Sequence, residues 1–197
     1  MLELEKFEDQ ITIDNFHNLS NKLKKIIFDE RIDIIERLTK ETINNTKRFD
    51  HSLSVANVMS NLAKKHHIDP YKAYLAGLLH DITKYLPLED QYAYLKCYDQ
   101  DKLDAPKGIL HSYTAKYFIK EKFNFYDKDI LNAIYHHADG ECKSKMAMML
   151  YIADKRDPLR NLDPKILNIA YDDLYLAFKM MKDDVKEYLN NKNDGIN

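Results

Sequence analysis

Apolar residues recur three and four positions apart along most of the chain, which is the spacing that places side chains on one face of an α-helix. The first such stretch covers residues 15–40, where Leu19, Leu23 and Ile26 share a stripe. The pattern predicts two successive helices here, the second of which ends near position 44 or 45. Residues 1–14 show no clear periodicity, so we expect them to form a poorly packed arm.

Apolar residues with helical spacing also occur along most of the remaining chain. Asp69-Pro70 supplies a favourable N-cap followed by a proline at the first helical position, and therefore predicts a helix start. Pro87 predicts a break, and Pro106 with Gly108 predicts a loop over residues 98–108. The further helices are predicted over residues 49–65, 70–84, 89–96, 110–123, 127–137, 144–154, 164–169 and 174–189.

These elements predict an all-α fold, a single-domain helical bundle. The chain has 197 residues, enough for one core, and only four glycines and five prolines, the residues that the many turns of a β fold require. We assign residues 1–32 to an N-terminal arm and helix, residues 33–189 to the main domain, and residues 190–197 to a frayed C-terminus.

Composition excludes several classes of function. The net charge of -2 argues against a protein that wraps nucleic acid, because its basic face would appear as an excess of Lys and Arg. No apolar run approaches the roughly 20 residues that cross a bilayer, and no signal segment opens the chain. Cys97 and Cys142 are interpreted as free thiols. We therefore expect a soluble, cytoplasmic protein without nucleic-acid or membrane partners.

Six side chains that can bind a cation lie on the apolar stripes of five predicted helices. His51, for example, precedes Val55 by four residues, and Asp154 follows Leu150 by four. A buried Asp costs roughly several kcal/mol unless it is paired or coordinated, and a divalent cation would satisfy such carboxylates together with inward imidazoles. The six candidates are His51, His80, Asp81, His111, His137 and Asp154.

Each histidine taken alone has a simpler interpretation, because a single inward imidazole is more often a hydrogen-bonded core residue. The adjacent pair His80-Asp81 is harder to explain in that way, since two polar groups follow an apolar run directly. On its helix His136 points roughly 100° away from His137, so we do not expect the two to share a metal. The histidines expected to be solvated or partly packed are His17, His66, His67 and His136.

Several segments resemble one known family. Residues 48–56 (RFDHSLSVA) are similar to R-F-x-H-x-x-x-V-A, and residues 73–81 (AYLAGLLHD) to A-x-L-A-G-L-L-H-D. Residues 151–154 (YIAD) resemble Y-L-A-D, and the segments around His111 and His137 resemble L-H and N-A-I-x-x-H. These patterns belong to the YqeK-type branch of the HD phosphohydrolase superfamily, whose signature is H…HD…D. The resemblance covers roughly residues 33–187, so we expect residues 33–189 to be an HD phosphohydrolase domain.

The resemblance implies a fold, an activity and a cofactor. Proteins of this branch are symmetrical diadenosine tetraphosphate hydrolases that release two ADP, and they are described as linked to NAD metabolism. They carry iron or a similar ion; manganese, cobalt and magnesium stay open for this chain, as does a mono- or dinuclear site. The ligands that the resemblance implies are His51, His80, Asp81 and Asp154.

The other matched residues are implied to act on the substrate. His111 and His137 would face the phosphates or hold a second ion, and Arg160 would help to bind the nucleotide. In the mechanism that we infer, Asp81 ligates the metal and orients the attacking water, while protonated His111 or His137, with Lys84 and Arg160, stabilises the developing charge. Lys84 could equally be a surface lysine.

Some alternatives stay open at the level of sequence. Arg48 could be a structural salt-bridge partner, and the segment after Asp154 departs from the family pattern Y-I-E-P-G-R, which leaves the exact nucleotide open. Other HD proteins cleave nucleoside monophosphates, nucleoside triphosphates or guanosine tetraphosphate. A nucleotide-binding module with a vestigial metal site and a purely structural bundle are the two non-enzymatic alternatives. A homodimer is also left open.

Overall fold

The structure is a computed structural model, and it describes residues 21–193. Within this range it contains nine α-helices, three short 3-10 helices and no strand, which confirms the all-α prediction. The predicted arm over residues 1–14 and His17 lie outside the described residues. The helices are α1 Asn21–Ile43, α2 Thr46–Lys65, α3 Pro70–Leu79, α4 Leu88–Tyr98, α5 Leu110–Phe123, α6 Lys128–His136, α7 Lys145–Lys155, α8 Lys165–Asp172 and α9 Leu174–Asn193.

Several predicted helix boundaries differ from the structure; for example, α2 begins at Thr46 instead of position 49, and α8 ends at Asp172 instead of position 169. The helix α1 is one continuous helix where the sequence predicted two, so that prediction was wrong. The helix α3 ends at Leu79, before the predicted end at position 84, and α9 continues to Asn193, past its predicted end at position 189. The predicted loop over residues 98–108 holds the 3-10 helices Gln100–Lys102 and Lys107–Ile109.

The chain divides into two compact units after Leu38. In the described part, the first unit holds most of α1. The second unit holds the end of α1, the helices α2 to α9 and all six candidate ligands. Among the described helices, none is long and apolar enough to cross a membrane.

Side-chain caps fix several helix starts. The predicted N-cap Asp69 accepts hydrogen bonds from the backbone amides of Tyr71 and Lys72, directly before Pro70. Asn45, Asp127 and Ser144 cap α2, α6 and α7 in the same way. Each such cap is worth about 1 kcal/mol, because it satisfies amides that have no partner within the helix.

The helices α2 and α3 pack backbone against backbone at Gly77. A Cβ atom added to Gly77 would lie 2.6 Å from Cα of Ala56, so no larger residue fits at this crossing. The helix α7 packs across both helices, and its Met149, Leu150 and Ile152 are fully buried. This packing brings the first turns of α2 and the ends of α3 and α7 to one place.

Candidate metal centre

The structure brings all six predicted candidates together at the ends of five helices. His51 lies near the start of α2 and His111 near the start of α5. His80 and His137 are the C-caps of α3 and α6, Asp81 follows His80, and Asp154 lies in the last turn of α7. Their ligand atoms form three overlapping groups of three side chains, and within each group these atoms lie within 4.8 Å of one another.

Asp81 lies between two sets of histidines in this cluster: His80 with His51 on one side, and His111 with His137 on the other. Its Oδ2 lies 3.5 Å from Nε2 of His80, whereas its Oδ1 lies 3.1 Å from Nε2 of His111 and 3.6 Å from Nε2 of His137. On the side of His51 and His80, Oδ1 of Asp154 is 3.1 Å from Nε2 of His51 and 3.7 Å from Nε2 of His80. The two oxygens of one carboxylate thus face two neighbouring sets of imidazoles.

Three of the histidines are oriented through Nδ1. That atom of His80 donates to the carbonyl oxygen of Gly77 at 2.7 Å, and that of His137 donates to the carbonyl oxygen of Ile134 at 2.6 Å. Nδ1 of His51 lies 2.6 Å from Oδ2 of Asp157. In metal sites such contacts fix the imidazole tautomer and leave Nε2 as the ligand atom.

The residues present fit a divalent cation. Nε2 of His80 is buried and has no hydrogen-bond partner among the described residues, although the His80 side chain is fully shielded from solvent. A buried polar atom without a partner is rare in folded proteins, and a bound ion is one of its recognised explanations. Mixed imidazole and carboxylate donors suit iron, manganese or cobalt better than a thiolate-rich structural zinc site.

The electrostatics of the cluster are dominated by its two carboxylates. Burial raises the pKa of Asp81, but His80 and the hydrogen bonds from His111 and His137 outweigh it and hold this pKa well below its usual range. Burial likewise raises the pKa of Asp154, and its histidine and lysine neighbours again outweigh that effect. Both groups are therefore carboxylates at neutral pH, as metal ligands must be.

The pKa values of the buried imidazoles shift in opposite directions. Burial lowers the pKa of His80, but Asp81 and Asp154 outweigh it and raise this pKa to about 10; a cation ligated by Nε2 would take the place of the proton between these carboxylates. Burial lowers the pKa of His111 to about 4, and it also lowers the pKa of His137. Neutral His111 and His137 are suited to act as ligands, whereas the mechanism inferred from the sequence has one of them protonated.

Three cationic side chains singled out from the sequence lie beside this cluster. Nη1 of Arg48 lies 2.6 Å from Oδ2 of Asp81, which agrees with its interpretation as a salt-bridge partner. Nη2 of Arg160, on the exposed side, lies 3.2 Å from Oδ1 of Asp154. Nζ of the half-buried Lys84 lies 3.2 Å from Nε2 of His111 and donates to the carbonyl oxygen of Gly108 at 3.4 Å. Lys84 therefore lies at the cluster rather than on a remote surface.

Sequence reasoning missed two neighbours of the ligands. Nζ of Lys155 donates to the carbonyl oxygen of His137 at 3.1 Å and lies 3.6 Å from Oδ2 of Asp154. Asp157 contacts His51, although its position before a proline indicates only a local N-cap. By contrast, His136 turns away from the cluster as predicted, with Nδ1 3.0 Å from Oδ2 of Asp139.

A helical bundle that gathers histidine and aspartate ligands at its helix ends is a metal-binding domain. Residues 48–159 match the HD domain family, which is more than half of the chain, and the chain belongs to this family. This confirms the superfamily inferred from the pattern of His51, His80-Asp81 and Asp154. The matched region contains all six candidate ligands.

Individual relatives carry more specific names. The chain is 33% identical over 151 residues to a "Probable nicotinate-nucleotide adenylyltransferase/Ap4A hydrolase" of Mycoplasma genitalium, a match that spans 76% of this chain and 42% of that protein. It is 33% identical over 134 residues to a "Bis(5'-nucleosyl)-tetraphosphatase, symmetrical" of Staphylococcus aureus, across 66% of this chain and 69% of that protein. The chain thus spans about two fifths of the length of the Mycoplasma relative.

A solved structure supports the same relationship. The crystal structure of a "predicted HD superfamily hydrolase involved in NAD metabolism" from Clostridium acetobutylicum superposes with a TM-score of 0.75 at 28% identity. The superposition covers 82% of this chain and 88% of the Clostridium chain. The fold of most of the chain is therefore shared with a protein of the same superfamily.

Proposed function

We propose that the protein is a metal-dependent phosphohydrolase that cleaves dinucleoside tetraphosphates symmetrically, with diadenosine tetraphosphate as its main substrate and ADP as its product. The observation that carries the proposal is the clustering of six side chains in overlapping groups, in which His80 lies with His51 and Asp81 in one group and with His137 and Asp154 in another. The Staphylococcus relative named for this activity gives the substrate class.

The cation would be held by His51, His80, Asp81 and Asp154, and we propose iron. When bound there, a divalent cation polarises a phosphoryl oxygen and lowers the pKa of a ligating water. The second group, Asp81 with His111 and His137, offers donors for a second ion or contacts to a phosphate. Nitrogen and carboxylate donors without a thiolate are compatible with iron, manganese and cobalt.

The protein side chains neutralise and orient the substrate. A tetraphosphate bridge carries closely spaced negative charge, and Lys84 with Arg160 offers cations on the accessible side of the cluster. In the proposed mechanism Asp81 would accept a hydrogen bond from the water that attacks an inner phosphorus. The central P–O–P bond then breaks, and the products are two ADP molecules.

Product analysis tests the proposal directly. Freshly purified protein is assayed for metal content, stripped, reloaded with Fe²⁺, Mn²⁺, Co²⁺ or Mg²⁺ and given diadenosine tetraphosphate in H₂¹⁸O. We expect two ADP for each substrate consumed, with one ¹⁸O atom in a terminal phosphate. ATP with AMP as products would mean asymmetrical cleavage and would contradict the proposal.

A panel of other nucleotides tests the alternatives. Faster turnover of a nucleoside monophosphate, a nucleoside triphosphate or guanosine tetraphosphate would assign the same centre to another phosphohydrolase reaction. Tight nucleotide binding without turnover, in protein with full metal occupancy, would favour a non-catalytic module. We further propose a cytoplasmic location, since Cys97 and Cys142 are both free thiols, as is usual in a reducing compartment.

A further inference from the structure

Asp157 is a buried carboxylate whose two oxygens have separate partners. Its residue is only 1% exposed, and it lies between α7 and the 3-10 helix Pro158–Arg160. Oδ1 accepts hydrogen bonds from the hydroxyl of Ser54 and from the backbone amide of Leu159. Oδ2 lies 2.6 Å from Nδ1 of His51.

A local capping role explains only half of these contacts. The N-cap of the 3-10 helix needs one oxygen, which accepts from Leu159. The second oxygen contacts an imidazole on α2, and among the described residues no Lys or Arg lies within ion-pair distance of Asp157. A buried carboxylate without such a pair is costly, so its retention against His51 requires another explanation.

The contact determines which nitrogen of His51 carries the proton. A carboxylate can only accept, so Nδ1 of His51 must be the protonated nitrogen that donates to Oδ2. Nε2 of His51 lies 3.1 Å from Oδ1 of Asp154, so it is the nitrogen that gives up its proton when a cation binds between the two. The Nε2 atom is the one that can ligate the cation.

We propose that Asp157 is a positioning residue of the metal centre: it holds His51 in the tautomer that can bind the cation, and it also fixes the turn that carries Arg160. The backbone amide of Arg160 donates to the carbonyl oxygen of Asp157 at 2.9 Å. This inference rests on the proposed function only in requiring a divalent cation at the centre; it does not depend on the identity of the nucleotide.

The near-isosteric variant Asp157→Asn separates shape from proton position. If the amide NH₂ of the new side chain faces His51, Nδ1 must accept, the proton moves to Nε2, and the lone pair for the cation is lost. The reverse orientation would place the NH₂ group against the amide of Leu159 and disrupt the turn. Either orientation costs cation affinity, and we expect the Kd for Co²⁺ or Mn²⁺ to rise about 10- to 100-fold.

Two controls separate this role from ordinary structural loss. Asp69→Asn changes another N-cap that directly precedes a proline but lies on α3 away from the ligands, and we expect its cation Kd to equal that of the wild type. Ser54→Ala removes one hydrogen bond from the Asp157 carboxylate but leaves its contact with His51, so its loss should be less than about 3-fold in Kd.

Imidazole ¹⁵N chemical shifts of the metal-free protein give a readout that needs neither activity nor metal. We expect Nδ1 of His51 to be protonated in the wild type, whereas in Asp157→Asn we expect Nδ1 to be unprotonated and the proton to lie on Nε2, which faces Asp154. A wild-type His51 that carries its proton on Nε2 alone would overturn the proposal even if the variant fails to fold. Equal cation affinity in Asp157→Asn and wild type would also overturn it, whereas a wild-type protein that binds no divalent cation would instead refute the proposed function.

Discussion

The carbonyl oxygen of Gly77 accepts the hydrogen bond that orients the imidazole of His80, over 2.7 Å. The same glycine forms the closest approach between α2 and α3, where it faces the backbone of Ala56. One residue therefore serves both the packing of two helices and the direction of a ligand. We therefore expect a change in packing at this crossing to alter the orientation of the His80 imidazole.

The variant Gly77→Ala tests this coupling. Its Cβ would lie 2.6 Å from Cα of Ala56 and 2.8 Å from its backbone nitrogen, and neither atom can move without shifting α2. We expect a loss of about 1–3 kcal/mol in the free energy of unfolding, as for other overpacked cores, and a weaker affinity for the cation. Urea denaturation of the metal-free protein and a metal-binding titration measure the two effects separately.

Gly108→Ala is the matched control. A Cβ atom at Gly108 would meet nothing within 4 Å, and its backbone does not adopt a positive φ, so we expect neither measurement to change. If Gly77→Ala matches the wild type in both measurements, the close packing of α2 on α3 does not position His80.

Asp81→Ala removes the carboxylate that lies both in the group with His51 and His80 and in the group with His111 and His137. We expect the variant to lose retained metal and turnover while its helical circular dichroism stays largely intact, because Asp81 follows the end of α3 rather than lying within it. Saturating metal at about 100 times Kd should stabilise the wild type by about 2.7 kcal/mol and the variant by nothing. Thermal unfolding with and without added cation measures this difference.

Asp50→Ala serves as the control for that variant, since Asp50 is an exposed carboxylate on α2 beside His51. Its metal content and turnover should equal those of the wild type. Unchanged activity in Asp81→Ala would remove the mechanism proposed for this centre.

The six candidate ligands could be singled out from sequence because they lie on the apolar stripes of five helices or directly after them. His51 lies one helical turn before Val55, and Val55 is fully buried, so the imidazole shares its direction. The helical pattern predicts which side chains face inward. Because the apolar stripes of five helices pack into one core, the polar side chains on these stripes are expected to lie close together. The continuity of α1 was missed because a polar segment separates its two apolar stripes. That segment holds no Gly or Pro, so nothing in it ends the helix.

The supporting residues could not be predicted in the same way. Asp157 lies in a turn, where no periodicity gives a direction, and in the sequence its position before Pro158 indicates only a local cap. Lys155 follows Asp154 on α7, and lysine side chains usually reach solvent, whereas this one turns inward to the carbonyl oxygen of His137. Both roles depend on contacts between distant segments, which only the folded chain supplies.

Lys84→Met tests whether the cation beside His111 acts on the substrate. The variant keeps much of the apolar stem but loses the charge that lies 3.2 Å from Nε2 of His111. We expect kcat/KM for diadenosine tetraphosphate to fall about 10- to 100-fold, because a half-buried cation stabilises phosphate charge more strongly than a fully exposed one. Steady-state kinetics at fixed metal occupancy measures the change.

Lys107→Met is the matched control for Lys84→Met, since Lys107 is exposed and adjoins the same Gly108 loop. Its kinetics should be those of the wild type. Equal losses in both variants would indicate a general effect of net charge, and no loss in Lys84→Met would show that Lys84 is only a surface lysine.

The ion pair between Lys72 on α3 and Asp127 at the start of α6 predicts a dependence of stability on pH. Nζ of Lys72 lies 2.8 Å from Oδ2 of Asp127. Burial raises the pKa of Asp127, but Lys72 and the amides of Asp129 and Ile130 outweigh it, so the pKa lies below its ordinary value. A carboxyl with a lowered folded pKa stabilises the protein above its unfolded pKa, and this stability is lost as the pH falls through the folded pKa.

Asp127→Asn keeps a good N-cap but removes the charge, and so isolates the ion pair. Between about pH 5 and pH 3 we expect the wild type to lose about 0.5 kcal/mol more free energy of unfolding than the variant, because the pair is partly exposed. Titrations at the metal centre are common to both proteins and cancel in the difference. In a Lys72→Met background, Asp127→Asn should make a smaller difference, and an undiminished difference there would assign the effect to the backbone amides instead of Lys72.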